Sequence, residues 1–84
     1  MMRTMKPQPE VGDYLFCVNP DKEYYGRIFK VTDCHLCSCD ADWLNFDGEL
    51  AYGGTIMTSS YNSAIPFPRP CTEAEIVYAK LMGL

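Results

Sequence analysis

The chain lacks any apolar run near the roughly 18 consecutive residues that a membrane-spanning helix needs, and its first ten residues hold no stretch of export-signal length. A cytoplasmic protein that does not enter a membrane is therefore expected. It has a single histidine, His35, with no motif around it, so a histidine-based hydrolytic triad is not credible. No catalytic residue and no enzymatic activity is expected. Lysine and arginine are missing altogether between Lys30 and Arg69. Internal repeats are missing too. At 84 residues there is room for one domain, which buries only about 60% of the surface its unfolded chain exposes. A deep cavity for a large cofactor does not fit such a core, and no cofactor is expected.

What is present describes a folded domain. The chain is 48% hydrophobic and 13% aromatic with a net charge of -4, too apolar and too weakly charged for a disordered polypeptide. Its five cysteines are an odd number without an export signal, which suits reduced thiols better than a disulfide framework.

Residues 1–10, with Pro7, Pro9 and three methionines, read as a flexible lead-in. Val11-Gly12-Asp13 is a turn signal before Tyr14-Leu15-Phe16-Cys17-Val18, a run of strand composition closed by Asn19-Pro20-Asp21-Lys22. In the next run, Gly26 to Asp33, alternation sets Arg27, Phe29 and Val31 on one face, the expected core side. Cys34 to Cys39 and Trp43 to Phe46 read as two further short strands, with Asp40-Ala41-Asp42 as a turn between them and Asp47-Gly48 as a reversal after them. Gly53-Gly54 reads as a break before a strand from Thr55 to Ser60, and Pro66 to Pro70 as a stiff extended segment anchored by Phe67. Thr72 and Glu75 have the spacing of a capping box, which predicts a helix from about Glu73 to Met82 with Gly83 at its C-terminal stop. Ala74, Val77, Tyr78 and Leu81 form the stripe expected to lie against the sheet.

Short strands at this spacing describe a mainly β fold, a small barrel or sandwich with one C-terminal α-helix. The order of features resembles a group of short phage and prophage proteins with a Src-homology-3-like barrel. Val11-Gly12-Asp13, Gly26-Arg27-x-Phe29-x-Val31 and Arg69-Pro70-x-Thr72-x-x-Glu75-Ile76 carry the resemblance. It implies a barrel of about five strands over residues 11–71 with the helix of residues 72–84 packed on it, and a host protein as natural partner. The cysteine run departs from that pattern.

Cys34, His35, Cys37 and Cys39 are the most conspicuous cluster. A structural zinc takes four ligands, usually as two knuckle pairs, and only one C-x-x-C is present. On a strand, His35, Cys37 and Cys39 would share a face and Cys34 would point away, so a fourth ligand would have to come from Cys17 or Cys71. Buried or surface thiols are the simpler reading of Cys34, Cys37 and Cys39, and a small zinc- or nucleic-acid-binding regulator is the alternative. A reactive thiolate there would need cations or a helix N-terminus, and the surroundings are acidic. Asp40, Asp42, Asp47 and Glu49 lack the spacing of a calcium loop and read as solvated acids.

Charge is more telling than any motif. Asp33, Asp40, Asp42, Asp47 and Glu49 face no base in the middle of the chain, which repels the phosphates of nucleic acid. Acids steer a basic protein instead, while a ring supplies affinity. The expected contact residues are Asp40, Asp42, Trp43, Asp47 and Glu49, with Tyr24 and Tyr25 in the loop between the first two strands. The partner expected is a protein with a basic surface, such as a host defence or nucleic-acid-handling complex. Trp43 filling the core is the competing account.

Overall fold

The computed structural model describes residues 8–17, 26–45, 47–59, 61 and 68–84. Five strands and one helix follow in the order β1 (Tyr14–Phe16), β2 (Ile28–Cys34), β3 (Ser38–Leu44), β4 (Leu50–Met57), β5 (Arg69–Pro70) and α1 (Glu73–Leu81). All strand pairs are antiparallel, and they form one sheet in the order β4-β3-β2-β1-β5. The expectation of a mainly β fold with a C-terminal helix holds. Closure into a barrel is not seen, because among the described residues β4 and β5 do not pair and remain the two edges of an open sheet.

Alternation gives the sheet two faces with different cover. On one, Leu15, Cys17, Phe29, Val31, Cys39, Ala41, Ile56 and Tyr61 form the larger core cluster, joined by half-buried Cys34 and Trp43. On the other, Ile28, Leu44, Cys71 and Ala79 form a smaller cluster with Tyr14, Phe16, Leu50, Ile76 and Leu84, and α1 covers this end. Phe29 and Val31 lie on the core side as their spacing predicts. Ile28 is also buried, because the helix covers its face as well.

Two strands run where turns and breaks were expected. Asp40-Ala41-Asp42 is the middle of β3, not a turn: buried Cys39 and Ala41 alternate with Asp40 and Asp42 on the opposite face. The chain reverses earlier, at Leu36-Cys37, where the His35 N–H donates to the Ser38 carbonyl at 2.8 Å, so the run from Cys34 to Cys39 is a hairpin turn between the end of β2 and the start of β3 and not a strand of its own. Gly53-Gly54 likewise lies inside β4. Ala41 pairs with Gly54 but Trp43 with Ala51, so β4 holds one extra residue as a β-bulge. Gly53 takes that bend at φ +72°, and a side chain at Gly54 would overlap the Trp43 ring, so both positions require glycine.

The helix begins with the expected capping box. The Glu75 N–H donates to Thr72 Oγ1 at 3.3 Å, and the Thr72 N–H to the Glu75 carboxylate at 2.8 Å. It ends in a Schellman arrangement, with Gly83 N–H donating to the Lys80 carbonyl and Leu84 N–H to the Ala79 carbonyl. Its buried face differs from the expected one. Ala74, Val77, Tyr78 and Leu81 face solvent, and Ile76 and Ala79 face the sheet. Arg69 grips Glu75 with two bonds of 2.7 and 2.8 Å and Tyr14 Oη donates to the Leu84 carbonyl at 3.3 Å, which fixes the rotation of a short helix from both ends. Small Ala79 then allows close approach to Ile28 and Leu44. No helix among the described residues is long and apolar enough to cross a membrane. Of the N-terminal lead-in, Pro9 is buried and accepts a bond from Cys34 Sγ at 3.2 Å, so the sheet holds at least that residue.

Candidate functional site

The tip of the β2–β3 hairpin sorts the cysteine run into three environments. A bulge at Thr32 shifts the register between Val31 and Asp33, and this one extra residue reverses the alternation of β2 beyond it. Cys34 therefore joins the core face, directly opposite Cys39, with their sulfurs 3.7 Å apart. Cys37 sits exposed in the turn. Cys71 lies in the cluster on the other face of the sheet, and burial pushes its thiol up to about 12. These thiols do not converge on one point, so Cys34, Cys37 and Cys39 do not assemble the ligand set that the spacing left open.

The same bulge turns Asp33, His35 and Asp40 together on the face opposite the thiols. His35 Nε2 lies 3.1 Å from Asp40 Oδ2 and 4.0 Å from Asp33 Oδ2, and Thr55 Oγ1 donates to Asp40 Oδ1 at 3.3 Å. The hydrogen bond and charge of Asp40 raise the His35 pKa, and the His35 bond lowers that of Asp40. Among the described residues these three are the His, Cys, Asp or Glu group whose ligand atoms all fall within 4.8 Å. All three side chains are well exposed to solvent; the His35–Asp40 hydrogen bond and the longer approach of His35 to Asp33, whose Oδ1 accepts from the Cys34 N–H at 2.9 Å, account for their arrangement.

The expected contact residues separate along β3. Asp40 and Asp42 share a face with Lys30, which pairs with Asp42 across the ladder and sits 5.7 Å above the Tyr14 ring. Trp43 points the other way. Its ring is half-buried against Phe29, with centroids 6.0 Å apart, and lies on Gly54. Asp42 holds the β4 bulge through the Gly53 N–H at 3.1 Å, and Asp47 accepts from the Glu49 N–H at 3.1 Å in the β3–β4 turn. The four acids thus occupy two places, the strand face and the far turn; Trp43 points away from the first and reaches the second only through its Nε1–H, which donates to Asn45 Oδ1 at 3.2 Å. Tyr24, Tyr25 and Phe46 lie outside the described residues.

The feature missed in the sequence is the β4 edge. Reading Gly53-Gly54 as a break concealed an eight-residue strand whose ladder partner, among the described residues, is β3 alone. Tyr52 and Met57 on it are 70% and 56% exposed, so the strand presents a ring and a thioether to solvent along its length. Asp40, Asp42 and Thr55 lie along the same side of the sheet, since Asp40 pairs with Thr55.

Compared with known protein families, curated proteins and solved structures, the chain matches no family model, no curated protein and no solved structure.

Proposed function

We propose that this chain is a non-enzymatic protein-binding module that takes a basic, extended segment of its partner along the β4 edge. One observation carries the reading: an eight-residue edge strand, without proline or lysine, runs beside the carboxylates of Asp40 and Asp42. An unpaired edge offers a row of backbone donors and acceptors, and strand addition satisfies them while pockets and charges select the side chains. Asp40 and Asp42 beside the edge, with Asp47 and Glu49 at its start, favour lysine or arginine on the incoming strand. Tyr52, not Trp43, supplies the exposed ring.

The strand order supports the finer reading of a Src-homology-3-like barrel, because a four-strand meander with β5 returning to β1 is the order such a barrel uses. The resemblance to short phage proteins makes the partner a host protein, acting in the host cytoplasm, whose basic groove the acids occupy. That partner is a protein and not a nucleic acid, since the acidic side of the sheet repels phosphate.

The test is binding of a synthetic peptide alternating lysine and valine, followed by calorimetry in low and high salt. Binding that weakens with salt, and is lost in a variant carrying Asp40→Lys, Asp47→Lys and Glu49→Lys with unchanged circular dichroism, supports the reading. Equal binding by that variant overturns its electrostatic part.

A further inference from the structure

The protein-binding reading leaves the thiols at the hairpin tip without a role. The pair Cys34 and Cys39 is placed by two separate devices, the two-residue turn at Leu36-Cys37 and the bulge at Thr32. The 35/38 pair is hydrogen-bonded through His35 N–H and the Ser38 carbonyl, so Cys34 and Cys39, one step further, form a non-hydrogen-bonded pair. Such partners approach more closely than any others in a sheet, about 4.5 Å between Cα atoms, which falls at the short end of the range of about 4.4–6.8 Å that disulfides span. Their sulfurs already lie 3.7 Å apart, with Cys39 Sγ–H directed at Cys34 Sγ and Cys34 Sγ–H at the Pro9 carbonyl.

We propose that Cys34 and Cys39 form a reversible dithiol–disulfide couple, a modification site that a low-molecular-weight disulfide of the glutathione type oxidises.

Cys34 is half-buried and Cys39 is buried, so Cys34 meets the oxidant first. Its thiolate attacks one sulfur of glutathione disulfide; the S–S bond of the oxidant breaks, a Cys34–glutathione mixed disulfide forms, and one glutathione leaves with the proton from Cys34. Cys39 then attacks Cys34 Sγ, the mixed disulfide breaks, and the second glutathione leaves with the proton from Cys39. Two protein thiols are oxidised, one glutathione disulfide is reduced to two thiols, and no other reactant enters. Burial and the neighbouring Cys34 push the Cys39 thiol up to about 11, while its sulfur 3.7 Å from Cys34 makes the second attack intramolecular. Exchange runs both ways, and half-buried Cys34 leaves the bond within reach of an excess of reduced glutathione, which reverses it, the behaviour of a regulatory disulfide rather than a structural one. Oxidation also removes the Cys34 proton that ties Pro9 to the sheet.

The test uses the full chain carrying Cys37→Ser, which removes the exposed competing thiol. It is treated with glutathione disulfide, alkylated at its free thiols, reduced, and alkylated again with a second reagent. Trypsin leaves Cys34 and Cys39 on one peptide because no lysine or arginine lies between Lys30 and Arg69, so fragment masses assign the labels. The expected result is a protein lighter by two hydrogen atoms, with the second label on Cys34 and Cys39 alone, reversed by excess reduced glutathione. In the wild type the same pair carries the second label even where Cys37 is glutathionylated. A glutathione adduct that persists on Cys34, a bond to Cys17 or Cys71, or no loss of the two hydrogens overturns the proposal. Cys34→Ser and Cys39→Ser each abolish the bond; if either fails to fold, the mapping in the Cys37→Ser protein still decides.

Discussion

The two edges of the single sheet are finished in opposite ways. At β5 the edge is two residues long, contains Pro70, which has no N–H to offer, and is held by Arg69, whose guanidinium stacks 4.5 Å from the Phe16 ring and grips Glu75 of the helix. At β4 the edge is eight residues long and carries neither proline nor lysine, and Tyr52 and Met57 stand in solvent. Native sheets generally blunt both edges to prevent stray pairing. Among the described residues β4 is interrupted by its bulge at Gly53 but is otherwise the longer edge, and under the proposed function it is the one that takes a partner strand, with the Asp40 and Asp42 carboxylates limiting which strands add.

The sharpest way to break this contrast is to damage the support of β4. Gly54→Val drives a branched side chain into the Trp43 ring, and we expect a loss of about 3 kcal/mol or more in urea unfolding. An unchanged midpoint contradicts the packing of Trp43 onto β4.

The β5 edge gives the next largest effect. Glu75→Ala removes both the Arg69 pair and half of the capping box, and should cost about 2 kcal/mol. Arg69 first, and the Thr72 N–H with it, hold the Glu75 carboxyl below its ordinary range. A depressed carboxylate contributes stability that is fully present above its unfolded value of about 4.3 and is lost as pH falls through the lower folded value. Acid unfolding curves of the wild type and Glu75→Gln should therefore converge toward low pH. Parallel curves would deny the ion pair its role at this edge.

Smaller still is the effect at the hairpin tip. Asp40 raises the His35 pKa, so the imidazolium is favoured in the folded chain, and whatever stability it adds is present below the unfolded value of about 6.5 and lost as pH rises through the raised one. Proton NMR should show His35 titrating above that value and returning toward it in Asp40→Asn. The smallest expected change in stability is at the open edge itself: Tyr52→Lys with Met57→Lys should move the unfolding free energy by less than about 0.5 kcal/mol.

Much of this frame is legible in the chain. Tyr14 to Phe16 and the Ile28 to Val31 run announce strands by composition, and Thr72 with Glu75 announces the helix start because capping chemistry is local. The alternation beyond Val31 is not legible, since the single extra residue at Thr32 flips every later side chain of β2 and is set by pairing with β3. For the same reason Gly53-Gly54 looks like a break: only Trp43, brought across by the ladder, explains why glycine is needed inside a strand. The buried face of the helix is not legible because Val77, Tyr78 and Leu81 satisfy helical periodicity as well as Ile76 and Ala79 do, and the Arg69–Glu75 bond, which decides between the faces, is a tertiary contact. Sequence adjacency groups the acids of β3 with Trp43, which the alternation of that strand sends to the other side.

Hydrogen exchange of the β4 amides, measured by nitrogen-15 NMR on the full chain with and without the lysine–valine peptide, tests the central claim most directly. The account predicts that added peptide slows exchange at the β4 amides that make no ladder bond to β3, leaves β5 unchanged, and loses this protection in high salt. Protection confined to another surface, or none at peptide concentrations that saturate binding, would contradict it.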